Sequence, residues 1–343
     1  MKLLIITDDA VGTRRDGRLT AQLATTRLRL LIAYGAAQSA GVTTWLAVRH
    51  KPADLIGSEV FREADTLLFG KTFEDHSATA LEAKRAGKRV LADIADDLGS
   101  TGDFDVLRRV VAYADGVFCS SARLSELAAA WVPEHCCRFC IEEPAEEAIR
   151  PPRAQLGGDG FLELLWFGTS RNIVYLVPHL SEIAALAEDR PFRVSLVCHE
   201  NTVARQLCAA AAEQNEGLFD IRFQEWNPQV QAAALDAAHI VLIPGDLAKD
   251  SALKSPNRLI NTIAAGRLAV ASPIPSYLPF ADFALIRDRM ADGIRDALAE
   301  PAAALEARIG AGQKVLAERY SQAEIGRQWI AALREIDAAR PRL

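Results

Sequence analysis

The sequence predicts an α/β protein of two doubly wound domains, and three observations predict it. Apolar runs rich in β-branched residues alternate with stretches of helical periodicity, the pattern of parallel strands joined by crossover helices. The alternation halts at an acidic, proline-containing stretch from Glu142 to Pro152, which Gly157-Gly158-Asp159-Gly160 completes as a hinge or linker, and then starts again. Within the second half, Ala237–Tyr277 is a complete strand–helix–strand unit: a strand at His239–Pro244, a loop carrying Asp246, Lys249 and Lys254, a helix, a glycine stop at Gly266 and a strand at Leu268–Ser272. Two such halves imply domains facing one another across a cleft, with ligands at the carboxyl ends of their strands.

Length and charge narrow the classes. At 343 residues the chain can bury two cores. Its net charge of −6 lacks the basic excess of a nucleic-acid binder, so no nucleic-acid partner is expected. No apolar run approaches the roughly 20 residues that span a bilayer. Met1–Thr7 is too short for a signal h-region and is followed at once by Asp8-Asp9, so a cytoplasmic location is expected, with peripheral membrane contact left open. Six cysteines in a chain of this size make no disulfide framework; Cys137-x-x-Cys140 lacks a second such pair, and Cys136, Cys137 and Cys140 are expected as buried strand cysteines rather than zinc ligands.

In the first half, Lys2–Thr7 is an apolar strand whose end, Thr7-Asp8-Asp9, marks a sheet's carboxyl edge. The loop Ala10–Ala24 is rich in Gly, Thr and Arg and lacks GxGxxG, so no dinucleotide fingerprint is present. Thr26–Gly41 has helical periodicity and a glycine end; Arg27 and Arg29 within it are expected in solvent, or near an anion at the first strand's carboxyl end. Strands follow at Thr43–Val48 and Asp65–Phe69, and Lys71 lies directly after the latter, where an α/β site places functional groups. A helix from Ser77 to Ala86, closed by Gly87, leads to a strand from Arg89 that runs into the acids Asp93, Asp96 and Asp97. Ala114–Ser121, a helix from Ala122 and a short strand at Arg138–Ile141 complete the half.

The second half opens with a strand at Leu162–Phe167, ending in Gly168-Thr169-Ser170-Arg171-Asn172. A glycine between strand and helix lets a ligand approach the backbone, although a simple tight turn reads the same way. Strands at Arg193–Cys198, Asp220–Phe223, His239–Pro244 and Leu268–Ser272 follow, and Trp226 comes just after the second of these, placed either to stack on a nucleobase or to pack in a core. Ser255-Pro256 suits a helix start, Ser as cap and Pro in the first turn. Lys254 then lies just outside the positive helix end with Asn257 and Arg258 in its first turn; two cations there are mutually unfavourable unless an anion such as a diphosphate sits between them. The alternative is a solvated helix face balanced by Asp246 or Asp250. Ala302–Ala339 reads as helical.

These pieces together resemble the GT-B glycosyltransferases of group 1 or family-4-like type that act in bacterial cell-surface glycan synthesis. The resemblance is carried by His239-Ile240-Val241-Leu242-Ile243-Pro244, by Lys254-Ser255-Pro256-Asn257-Arg258 and by Ala264-Ala265-Gly266-Arg267-Leu268-Ala269-Val270-Ala271-Ser272. In the first half it rests on the arginine helix, on Arg89–Leu98 and on Ala114–Ser121; near the end, Arg319–Trp329 is similar to the terminal helix that crosses back onto the first domain. It implies an acceptor-side domain over 1–150, a donor domain over 160–312 and a returning helix over 313–343. It further implies transfer of a sugar from a nucleotide-sugar donor to a hydroxyl of a glycan or lipid-linked acceptor, with no permanent cofactor and no metal.

On this resemblance Gly168, Thr169, Arg171, Trp226, Lys254, Ser255, Asn257 and Arg258 hold the donor. Asp96, Asp97 and Lys71 are the catalytic candidates, an aspartate serving as base if the reaction inverts; helix capping or solvation is the competing role for those acids. One departure stands out: the family's two glutamates, eight apart, fall on Leu253 and Asn261. Asp246 or Asp250 would have to supply the missing sugar contact. A sugar-nucleotide epimerase of the same fold and a catalytically silent scaffold are the other readings.

Overall fold

A computed structural model describes residues 1–96, 105–146, 148–156, 160–188, 190–214, 218–247 and 250–339. The chain divides into two compact units, one of Met1–Pro144, Leu253–Ser255 and Arg319–Leu343, the other of Ala145–Ala252 and Pro256–Glu318. Each is built on a six-stranded parallel sheet.

The first sheet consists of β1 (Lys2–Thr7), β4 (Thr43–Val48), β5 (Thr66–Gly70), β6 (Arg89–Ile94), β7 (Gly116–Cys119) and β8 (Cys137–Cys140), in the order β4-β1-β5-β6-β7-β8. Its central strands are buried on both faces, as their uninterrupted apolar runs require. The segment read as a loop after β1 contains a two-stranded antiparallel hairpin, β2 (Val11–Thr13) with β3 (Leu19–Ala21). Gly17, at φ 81°, supplies its left-handed turn residue. The arginine helix opens as a π-helical turn, Thr26–Leu30, before Leu31–Ser39.

The second sheet consists of β9 (Leu162–Phe167), β10 (Phe192–Cys198), β11 (Phe219–Glu225), β12 (Ile240–Ile243), β13 (Leu268–Ala271) and β14 (Leu285–Ile286), in the order β11-β10-β9-β12-β13-β14. The terminal helical stretch is two helices rather than one. Ala302–Arg319 runs in the second unit up to Glu318, and Ser321 caps Gln322–Ala338, which belongs to the first. Ile325, Trp329, Leu333 and Ile336 of that last helix join Leu3, Ile5, Leu68, Leu91 and Phe118 in one core of the first unit, with the Trp329 and Phe118 ring centroids 4.4 Å apart.

Two sequence expectations change here. The stretch after Glu142 is not a loose linker: Arg150 N donates to Ala264 O and Arg153 N to Gly266 O, both at 2.9 Å, pinning it along the end of the Asn257–Ala264 helix. Of the three clustered cysteines only Cys136 is buried; Cys140 is exposed because strand alternation turns it outward on the edge strand β8. Among the described residues no helix is long and apolar enough to cross a membrane.

Gly266 is required by that pinned segment. Its φ is 71°, and a Cβ there would stand 2.3 Å from the Pro151 carbonyl oxygen. A helix stop in the left-handed region already favours glycine, and here the neighbour is backbone that has no rotamer to change. Gly266→Ala should therefore lose about 2 kcal/mol or more in urea unfolding. An unchanged midpoint would mean that the Arg150–Pro152 backbone moves aside freely.

Candidate functional site

In the second unit, Gly168, His199 and Trp226 follow the carboxyl ends of the adjacent strands β9, β10 and β11. Gly168 N donates to Val197 O at 3.2 Å, which fixes the turn to the neighbouring strand. Thr169 is exposed and begins a 3₁₀ turn, Ser170–Tyr175, that it does not cap; Arg171 is exposed on that turn. Trp226 is half-buried, donates from Nε1 to Gln231 Oε1 at 2.8 Å and meets the His199 ring edge-on at 5.1 Å.

The Asn257–Ala264 helix has Pro256 at its cap position and no side-chain cap. Ser255 is therefore one residue too early to cap it, and it belongs to the first unit. The helix's first N–H groups have no intrahelical acceptor. Arg258, in its first turn, lies against Gly168: a Cβ on that glycine would stand 3.5 Å from Arg258 Nη1 and 3.7 Å from its Cδ. Nη1 is buried and has no hydrogen-bond partner among the described residues. Asn257 is occupied otherwise, its Oδ1 accepting from Asn261 Nδ2 at 3.1 Å, while Asn261 Oδ1 accepts from Glu146 N at 2.8 Å. The two slots where the family pattern has glutamates are thus structural: Asn261 ties down the incoming chain, and Leu253 packs on the first unit's core with its carbonyl accepting from Ser121 Oγ.

In the first unit, Asp96 follows the carboxyl end of β6 and receives two lysines, Lys71 Nζ on Oδ2 at 2.8 Å and Lys254 Nζ on Oδ1 at 3.0 Å. The anion beside Lys254 is therefore a carboxylate of the chain itself. Burial pushes the Asp96 carboxyl up, but Lys254 and then Lys71 outweigh it and hold it well below the usual carboxylate range. Asp97 and Lys249 lie outside the described residues. Asp93 is not a free acid: it is fully buried and paired through Oδ1 with Arg29 Nη2 at 2.7 Å.

A depressed carboxyl pKa stabilises the fold above its unfolded value, near 3.9, and that contribution is lost as pH falls towards the folded value. Asp96→Asn, which leaves the two lysines uncompensated, should cost about 1–3 kcal/mol at pH 7. The difference from the unmodified protein should hold above about pH 5 and shrink below about pH 4. A difference that grew on acidification would show that the lysines do not hold Asp96 charged.

Against solved structures, the chain matches sucrose-phosphate synthase from Thermosynechococcus elongatus with a TM-score of 0.69, over 99% of this chain and 100% of that one at 14% identity. It matches HepE from Anabaena in complex with UDP-glucose with a TM-score of 0.69, over 98% and 100% at 12% identity. This is the GT-B fold. A UDP-forming α,α-trehalose-phosphate synthase from Burkholderia vietnamiensis shares it, with a TM-score of 0.61 over 98% and 100% at 12% identity. No protein-family model and no curated protein matches the sequence. At these identities the GT-B architecture is what the likeness establishes.

Asp8, His76 and Arg49, at the GT-B carboxyl edges, are not among the site residues that the sequence suggests. Asp8 is buried, accepts on Oδ2 from Phe73 N at 2.6 Å and Glu74 N at 2.8 Å, and has Oδ1 3.5 Å from the fully buried His76 Nε2. Burial raises its carboxyl, but His76 and the two backbone donors together hold it below the ordinary range. Arg49, after β4, donates from Nε to Asp8 O at 3.2 Å. Nothing in the local pattern marks Arg49, whereas the strand end at Asp8 was readable as a sheet edge.

Proposed function

We propose that this protein is a glycosyltransferase that moves a sugar from a nucleotide-sugar donor to a hydroxyl of a glycan or lipid-linked acceptor, working in the cytoplasm without a bound metal. The observation that carries it is Arg258. A buried guanidinium nitrogen without a partner, beside a glycine backbone and at the start of an uncapped helix, is a place where an anion gains both a charge-assisted bond and unpaired N–H donors. A donor's diphosphate is such an anion, and the same cation stabilises the charge that grows on it as the sugar leaves. The GT-B fold and neighbours solved with UDP-glucose and UDP support this reading.

Around Arg258, Gly168 admits the phosphates, Thr169 and Arg171 flank them and Trp226 offers its ring to the base. Lys254, expected among them from the sequence, is held by Asp96 in the first unit. Asp96 positions Lys71 and Lys254 rather than taking the acceptor's proton, because a carboxylate held so far down is a weak base at neutral pH.

The test is a thermal-shift series with UDP, GDP and ADP against their nucleosides, followed by release of nucleotide from the matching nucleotide sugar. A ligand at a hundred times its Kd adds about 2.7 kcal/mol to the folded state. No shift from any nucleotide at millimolar concentration would remove the reading. One observation favours a second: the structural roles of Leu253 and Asn261 in the glutamate slots fit a silent GT-B scaffold, for which nucleotide binds without turnover. Product analysis separates transfer from epimerisation.

A further inference from the structure

Between Ala10 and Lys51 the sequence carries seven Lys and Arg residues and one acid, Asp16, in a chain whose acids outnumber its bases 45 to 39. Five of the seven, all but Arg27 and the buried Arg29, lie on one edge of the first unit. The β2–β3 hairpin, which leaves the carboxyl end of β1, presents Arg14, Arg15 and Arg18, all exposed. Arg49 and Lys51 follow the carboxyl end of β4, Lys71 that of β5, and β4 and β5 flank β1 in the sheet.

Two features show that this edge is built and not merely charged. Arg49 (φ 54°) and Lys71 (φ 51°) are the non-glycine residues with left-handed backbone among those described, a conformation of order 1–3 kcal/mol each that tertiary contacts must impose. Those contacts are with β1 and its end: Arg49 N donates to Thr7 O at 2.9 Å, and Asp8 N to Lys71 O at 3.2 Å. Phe73 is 51% exposed on the same edge, yet its backbone is held by the buried Asp8 carboxylate. An exposed aromatic ring on an anchored backbone suits the apolar C–H face of a sugar ring.

Resting on the glycosyltransferase reading, we propose that this edge is the acceptor subsite and that the acceptor is an anionic saccharide, with phosphate or carboxylate groups on more than one of its sugars. Arg49 and the hairpin arginines bind the anions, and Phe73 lies under a ring. Cations spread over a hairpin and the end of β4 exceed what one phosphate needs and match a chain of charges. A membrane surface fits less well, since the hairpin has no aromatic and Leu19, 37% exposed, is its one exposed large apolar side chain.

The test is calorimetry on the full chain with hexagalacturonate, maltohexaose and phosphatidylglycerol vesicles at low and high salt. Hexagalacturonate should bind at least about tenfold more tightly than maltohexaose at low salt, and the advantage should shrink as salt screens it. The triple variant R14Q/R15Q/R18Q and Phe73→Ala should each weaken hexagalacturonate by about fivefold or more, with melting temperatures near the unmodified value because the side chains are exposed. Equal affinity for the two saccharides, unaltered affinity in both variants, or binding to the vesicles alone overturns the inference. UDP binding, measured alongside, separates the two readings. UDP bound without an anionic preference overturns the acceptor inference and leaves glycosyl transfer standing; an anionic preference without nucleotide binding leaves the saccharide surface and removes the transferase.

Discussion

The Arg258→Ala protein should bind UDP, or whichever nucleoside diphosphate the screen selects, roughly ten- to a hundredfold more weakly, and the nucleoside almost as before. The reason is local. Arg258 Nη1 is buried without a partner beside Gly168, so in the unmodified protein a phosphate oxygen completes a donor that the fold leaves unpaired. One charge-assisted hydrogen bond is worth about 1.5–3 kcal/mol, which is that range of affinity. The nucleoside has no group for this donor. Arg258→Lys should recover only part of the loss, since a single ammonium cannot reproduce the planar fork against a diphosphate. Lys254→Ala provides the contrast: Lys254 spends its charge on Asp96, so its removal should weaken the diphosphate less than removal of Arg258 does. Equal losses in the two variants, or equal affinity of the unmodified protein for nucleoside and diphosphate, would show that the helix start is a structural end and not a phosphate site.

The largest effect on stability should come from Arg29. Its guanidinium is fully buried, donating from Nε and Nη2 to Asp93 and from Nη1 to the Ile141 carbonyl, with Trp329 beneath it at 5.7 Å. Burial works against its charge, but Asp93 and then Glu143 hold it cationic, above its ordinary value. Arg29→Met removes the cation and leaves the Asp93 carboxylate buried alone, a change worth about 3–5 kcal/mol. Asp93→Leu strands the cation and should cost about as much. The double variant Arg29→Met/Asp93→Leu should be more stable than either single one, because no unpaired charge of the pair remains. Its recovery should be partial, since Glu143 loses the cation that faces it. Urea unfolding of the four proteins measures this. A loss below about 1 kcal/mol in both single variants would mean that water or a rearranged neighbour satisfies the survivor.

Sequence by itself determined the layering of this protein. Strands such as Lys2–Thr7 and Leu162–Phe167 fall where the apolar runs place them, because a strand buried on both faces must be apolar without interruption. Gly87 and Gly266 stop helices with φ of 69° and 71°, as a glycine after a periodic run suggests. The positions of Gly168, Trp226, Lys71 and Asp96 at strand ends were legible for the same reason. What each side chain touches was not. Arg29 was expected in solvent or at an anionic ligand; it is buried because the sheet brings Asp93, 64 residues away, and Ile141, 112 residues away, to the π-helical turn that carries it. Lys254 was expected to await a phosphate, and tertiary folding gives it Asp96. Ser255 suits a cap by its place in the sequence, but in the fold Pro256 takes that position. A strand or a helix stop is a consequence of neighbours along the chain, so periodicity reports it. An ion pair depends on residues that crossover connections bring together from distant positions, and no local window contains both partners.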